Sequence, residues 1–278
     1  MLKLAAFADE ISPELDEQIR VCTANDVSHI ELRGVSGKNV LDFDPALRAT
    51  IKAKLADAGM GVVAIGSPIG KVKISDSFDT HLDRFKIAVE LAQYFSAPYI
   101  RLFSYYPAEG RSIADDRAEV LRRMQAKLDY IKDLSITLVH ENESHIYGDI
   151  GSRCLDLMTT FNSPKLRCAF DFANFVQCGE YPLDNWPKLK PFTVHIHVKD
   201  ALMADKRVVP AGKGDGQLEA ILQDAYTSGY RGFLSLEPHL AAAGQFSGFS
   251  GPQLFGTAAD ALKSILDRLS IPYARTTK

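Results

Sequence analysis

A chain of 278 residues with 46% hydrophobic and 24% charged side chains has the composition of an ordinary soluble globular protein with ample core material. Its net charge of −3 and lack of any Lys/Arg run exclude nucleic acid as the main partner, because a duplex-binding surface shows a basic stripe. No stretch approaches the ~20 apolar residues that span a bilayer, so no membrane association is expected.

The opening MLKLAAFADE has an apolar run too short for a secretory signal, and acids follow it at once. The four cysteines, Cys22, Cys154, Cys168 and Cys178, are scattered without CxxC spacing. Free thiols in a reducing compartment follow, and with them a cytoplasmic location.

In chain order the pattern is strand then helix, repeatedly. Leu2–Ala8 reads as a strand, and Ser12-Pro13 opens a helix with Glu14 and Asp16 in its first turn. His29–Arg33 is the second strand, with a helix over Asp44–Ala58 closed by Gly59. Gly61–Gly66 is the third, and Leu82, Phe85, Ala88, Val89 and Ala92 stripe the helix from Asp79 to Phe95. Ala97–Phe103 is the fourth strand, followed by a helix over Ile113–Leu134. Four more apolar runs follow: Ile136–Glu143, Leu166–Asn174, Val194–Asp200 and Phe233–His239. Helices near Ser152–Phe161, Leu183–Leu189 and Asp215–Ser228 separate them, and a last one spans Gln253–Leu269. The polar tail SIPYARTTK reads as frayed from about residue 270.

Repeated βα units imply parallel strands with right-handed crossovers. Eight of them close into a (β/α)8 TIM barrel, whereas a doubly wound sheet usually has fewer strands. No Gly-rich dinucleotide fingerprint follows the first strand, and no linker divides the chain. The expectation is α/β, one barrel domain over residues 1–278.

The last four runs end alike, in Glu141, Asp171, His197 and Glu237. In VHIHVKD, period two puts His195, His197 and Lys199 on one face, which a buried strand rarely does unless something binds there. Residues at the carboxyl ends of barrel strands converge on one open face. Three carboxylates and one imidazole there suit a single divalent ion, Mn, Mg, Co or Zn.

These motifs resemble the xylose isomerase-like TIM-barrel superfamily of sugar phosphate isomerases and epimerases, which also includes endonuclease IV repair enzymes. The likeness runs from FADEIS to LEPH, and the Glu, Asp, His, Glu order on strands five to eight is its specific part. The resemblance implies one catalytic divalent metal on Glu141, Asp171, His197 and Glu237. It also implies that Glu141 and Glu237 flank the substrate as acid/base groups. Two departures bear on the substrate rather than the metal: Asn174 and Glu143 stand where relatives often carry histidine.

Other residues near these strand ends are candidates for substrate contact. They are Lys199 in HVKD, Asn174, His239 two residues after Glu237, Glu31 with Arg33 at the end of strand two, and Arg101 on strand four. Asp200 reads as support for the site, His195 as a core group, and His140 as pointing away toward the helices. The glycine loop Val208–Gln217 suits a plain tight loop better than a phosphate cradle. Arg101, Tyr105, Tyr106 and Arg111 form a second anion or stacking candidate, and the aromatic stretch Phe172–Pro182 a wall beside the metal.

The reading is a divalent-metal-dependent isomerase or epimerase of a keto sugar or related polyol-derived substrate, acting through an enediolate. A lyase of the dehydroshikimate or inosose dehydratase type is the alternative, since it also begins with proton abstraction beside a carbonyl. A non-catalytic sugar-binding module is a further one. A repair endonuclease would need more histidines than the seven present and a basic groove. The expected partner is a small carbohydrate or keto acid; the sequence leaves open whether the chain forms a homo-oligomer.

Overall fold

The computed structural model describes residues 1–243 and 248–276. Eight strands form the barrel: β1 Lys3–Ala6, β2 Val27–Leu32, β3 Gly61–Ile65, β4 Tyr99–Leu102, β5 Thr137–Glu141, β6 Leu166–Asp171, β7 Thr193–Val198 and β8 Phe233–Leu236. All neighbouring pairs are parallel, each strand pairs with the next in sequence, and β8 closes on β1 through Lys3–Ala6 against Phe233–Leu236. This is a single-domain (β/α)8 barrel. Among the described residues, no helix is long and apolar enough to cross a membrane.

The two faces of the barrel strands differ sharply. Outward residues such as Leu4, Ile30, Ile100, Leu138, Ile196 and Leu234 join one large apolar cluster with helix residues including Phe85, Met124, Leu157, Trp186 and Leu262. The cohesive core therefore lies between barrel and helices. The inner face contributes only a small apolar group around Ala5, Val63 and Ala64, and carries buried Glu31, His195, His197 and Ser235 instead.

The helices are α1 Leu15–Ala24, α2 Pro45–Asp57, α3 Phe78–Phe95, α4 Arg117–Ile131, α5 Gly151–Phe161, α6 Phe172–Gln177, α7 Pro182–Leu189, α8 Leu218–Thr227 and α9 Gly251–Arg268. The α3 stripe faces inward as its spacing predicts, with Phe85, Ala88, Val89 and Ala92 buried. Several boundaries differ from the sequence reading. Ser12 lies outside α1, where its hydroxyl accepts from the Glu14 amide. The first turn over Ile113–Asp116 is 3-10 rather than α. Asp215 does not cap α8; its carboxylate accepts from the Met203 amide at 2.6 Å, and Gln217 begins the helix in the left-handed region. Strand β6 stops at Asp171, and a short helix that sequence periodicity did not separate from it carries Asn174.

The tail is the clearest correction. It is not frayed through Thr276: Leu2 donates to the Pro272 carbonyl at 3.0 Å, Ala274 returns to the Leu2 carbonyl at 2.8 Å, and Ile271 and Tyr273 are buried. The polar residues of SIPYARTTK concealed two apolar anchors that cover the start of β1. Ile271→Ala should therefore destabilise the fold by about 2–5 kcal/mol, as for other buried isoleucines. A denaturant midpoint equal to wild type would return the tail to the frayed state.

Lys127 of α4 is fully buried, donates to the Tyr105 hydroxyl, and has no acid paired with it among the described residues. Burial pushes its ammonium down to about 7, and Arg123 and Arg122 push the same way. The unfolded chain, with an ordinary lysine near ~10.4, then holds the extra proton between these values, so stability rises with pH across that window. The slope should approach about 1.4 kcal/mol per pH unit. Urea denaturation between pH 7.5 and 9.5 should show this rise in wild type and lose it in Lys127→Met; equal slopes would refute it.

Candidate metal centre at the barrel mouth

Strand ends bring the four candidate ligands together. Glu141 and Asp171 are the last residues of β5 and β6, His197 is next to last in β7, and Glu237 directly follows β8. One ligand atom from each lies within 4.8 Å of the others, and all four side chains are buried. Parallel register sets these heights: Asp171 pairs with His197, and His197 with Ser235.

Three carboxylates cannot share such a space without counter-charge. Lys199, two residues beyond His197 on the same face, donates to Glu237 Oε2 at 3.1 Å. Its Nζ is also 3.1 Å from Asp171 Oδ2, an ion-pair contact without hydrogen-bond geometry. Arg101 on β4 donates to Glu141 Oε2 at 3.1 Å and lies 3.7 Å from Glu237 Oε1. Arg33, just after β2, donates to Glu237 Oε1 at 3.1 Å and to Asp9 Oδ2 at 2.8 Å. Both guanidinium groups stack on the Phe7 ring, at 4.5 and 4.6 Å from its centroid.

His197 is aimed by the layer below. Its Nε2 lies 3.1 Å from Glu31 Oε2, and that one oxygen also meets His195 Nε2 at 2.8 Å and Ser235 Oγ at 3.0 Å. With its Nε2 proton directed at Glu31, His197 turns Nδ1 toward Glu141 Oε1 at 3.1 Å and Glu237 Oε2 at 3.9 Å. A lone pair facing two carboxylates is repulsive unless a proton or a cation lies between them. His197 Nδ1 and Asp171 Oδ2 are both buried without a hydrogen bond among the described residues. The donor set, hard oxygens with one imidazole and two atoms left unpartnered, fits a divalent cation.

Titration follows the same field. Burial alone would lower the His197 imidazolium, but Glu31 and Glu141 outweigh it and hold it well above its ordinary value. Burial likewise opposes ionisation of Glu141, yet His197 and Arg101 bring it down to about 2 despite repulsion from Glu237. Glu237 is held well below the usual carboxylate range against burial, by Lys199 and His239. Asp171 goes the other way: burial, with Glu141 and Glu237 beside it, lifts it to about 7 against Lys199.

The remaining candidates separate by position. Asn174, a candidate for substrate contact, donates from Nδ2 to Glu141 Oε1 at 3.2 Å and from its backbone amide to Asp171 Oδ1 at 2.7 Å, tying two candidate ligands together. Glu31 lies a layer beneath the mouth, so as a substrate-contact candidate it is displaced to a supporting position. His239 is at the mouth, with Nε2 3.0 Å from Glu10 Oε1 and 3.5 Å from Glu237 Oε1. Burial and Lys199 oppose its charge, yet Glu237 and Glu10 raise it to about 9. His140 is buried against the Ser104 hydroxyl at 3.0 Å, away from the ligands.

Three other groupings take different places. The amides of Gly212, Gly214 and Gly216 all donate to the Asp200 carboxylate at 2.9 Å, so the glycine loop is already wrapped around an anion of its own chain. Tyr105 is buried on Lys127 and Arg111 pairs with Asp116, so neither joins Arg101 in a second site. Phe172 and Phe175 pack with Phe170 and Trp186 behind β6, not as a wall beside the metal position. The sequence reading missed Asn142, which exchanges two 2.9 Å bonds with the Asp171 backbone, and the Asp9–Glu10 pair. FADE after the first strand carried the same strand-end signal as the ligand strands.

Residues 19–265 match the model of the xylose isomerase-like TIM-barrel family. The chain belongs to that family. It is 22% identical over 134 residues to a 3-dehydroshikimate dehydratase of Bacillus anthracis, a match covering 48% of each chain, so it spans about half the length of that relative. A crystal structure of D-psicose 3-epimerase in the presence of D-fructose superposes with a TM-score of 0.74 at 18% identity, over 96% of this chain and 99% of that one. A xylose isomerase-like barrel from Mycobacterium smegmatis in complex with magnesium gives 0.70 at 15% identity, over 98% of both chains. These structural likenesses bear on the fold.

If Glu31 aims His197, Glu31→Gln should weaken divalent-metal binding about 10–100-fold, the usual loss for such a supporting carboxylate. His197→Ala and Asp171→Ala should abolish it. Competition against a fluorescent chelator measures all three, and equal metal in wild type and His197→Ala would remove the ligand assignment.

Proposed function

We propose that this chain is a divalent-metal-dependent isomerase or epimerase of a keto sugar or related polyol-derived substrate. The observation that carries the reading is the pair Glu141 and Glu237, from strands five and eight, within one ligand cluster and bridged by Arg101. Glu141, Asp171, His197 and Glu237 would hold the ion. When bound, it supplies Lewis-acid stabilisation of a developing oxyanion.

The protein's own groups do the rest. Glu141 and Glu237 are held ionised at neutral pH, so either can accept a proton from the carbon beside a carbonyl. For inversion the other must first take up a proton from solvent, which it then delivers to the opposite face of the enediolate; the proton removed from carbon returns to solvent from the first glutamate. Arg101 lies against both carboxylates and Lys199 against Glu237, and the two cations orient substrate oxygens between them.

A dehydratase is the second reading, favoured by the sequence likeness to the 3-dehydroshikimate dehydratase. It shares the first proton abstraction and then needs an acid for the departing hydroxyl. His239, protonated up to about 9 and 3.5 Å from Glu237, is placed for that role.

NMR in D₂O of keto sugars and keto acids with Mg²⁺-loaded protein separates the two: deuterium at the carbon beside the carbonyl with an epimer supports the first, loss of water the second. Glu141→Gln and Glu237→Gln keep an oxygen for the ion but cannot accept a proton. At saturating metal each should lower exchange by ~10²-fold or more. Full rescue by added metal would reduce both residues to ligands.

A further inference from the structure

Beside the ligand cluster a separate cavity of about 420 Å³ opens between the β1 and β2 ends and Phe249, within the range of small-molecule pockets. Asp9, Arg33, Lys38 and Asn39 supply its polar side chains, and Pro13, Val35 and Phe249 part of its apolar lining. Arg33 joins it to the reaction centre, since one guanidinium binds both Asp9 and Glu237. A molecule held at Glu237 is thus one side chain away from a second compartment.

We propose that this cavity is a subsite for a second, uncharged sugar ring, so that the substrate is a glycosylated keto sugar rather than a free monosaccharide. The inference rests on the carbohydrate reading above. Charge argues for a neutral occupant. Arg33 is matched by Asp9, Glu237 and, at 3.8 Å, Glu10, and Lys38 is matched by Asp44 at 2.9 Å. Among the described residues, no cation lining the cavity is left to attract a phosphate or a carboxylate. Hydrogen bonding argues for hydroxyls. The polar side chains that line the cavity, Asp9, Arg33, Lys38 and Asn39, bring both acceptors and donors to its wall. A hydroxyl both donates and accepts, so a single class of group suits both. Shape argues for a ring. Phe249 is 44% exposed at the rim, an aromatic face of the kind on which the C–H side of a pyranose stacks.

The test uses the Mg²⁺-loaded protein and compares D-fructose with four keto-disaccharides, turanose, maltulose, lactulose and isomaltulose, and with fructose 6-phosphate. At least one disaccharide should bind about tenfold or more tightly than D-fructose by calorimetry. Saturation-transfer NMR should place strong contacts on its non-reducing ring. Phe249→Ala, at an exposed position, should bring the ratio of disaccharide to monosaccharide affinity toward one. No gain for any disaccharide overturns the subsite, as does a gain unchanged in Phe249→Ala, or a larger gain for fructose 6-phosphate. Deuterium exchange followed on the same samples separates the two ideas. Exchange on D-fructose without a disaccharide gain overturns the subsite alone, whereas a gain without exchange keeps the subsite and removes the catalytic reading.

Discussion

Three carboxylates buried within reach of one another set the terms for the barrel mouth. At 4 Å each like-charged pair repels by roughly 4 kcal/mol at an effective dielectric of 20, and burial removes the water that would screen it. The compensation is divided between the two halves of the chain. Strands five, six and eight bear the acids, whereas Arg33 and Arg101 come from strands two and four and meet Glu237 and Glu141 at the mouth. Phe7 makes that reach possible by giving both guanidinium groups one aromatic surface while meeting the His197 ring edge-on at 5.2 Å. Lys199 supplies the remaining charge from the ligand strand itself.

The same constraint explains the polar barrel interior. An imidazole whose Nδ1 faces carboxylates needs its other nitrogen held, and Glu31 does this from one layer down. Glu31 in turn is buried and needs donors, which His195 and Ser235 provide. A polar column therefore runs from the mouth into the barrel, where many barrels of this architecture pack branched aliphatic side chains. Cohesion is shifted outward, into the apolar layer between strands and helices. Around the rim, loop backbone is spent on local anions: Asp200 takes three glycine amides, and Glu10 takes the amide of His239.

What could be read in advance follows from how local each feature is. Alternating βα runs specify a barrel because each strand's apolar face and each helix's stripe are written within a few residues. Strand-end position then carried Glu141, Asp171, His197 and Glu237, since parallel strands of a barrel deliver their carboxyl ends to one face whatever their separation in the chain. Asn174 was legible as a residue near the site but not as a tie between Glu141 and Asp171, because strand β6 stops at Asp171 and a short helix turns Asn174 back. The tail failed for the opposite reason: its polar composition suggested solvent, while two side chains in it found cover on β1.

The sequence by itself determined the architecture and the chemistry of the donor set, because periodicity and residue type are properties of each segment alone. Tertiary structure decided which charges meet. That Arg33 joins Asp9 to Glu237, that Glu31 lies under His197, and that the glycine loop closes on Asp200 all depend on register and closure between segments as much as 204 residues apart. No local pattern encodes those distances; they are set by how eight strands tilt and close around a crowded, charged centre.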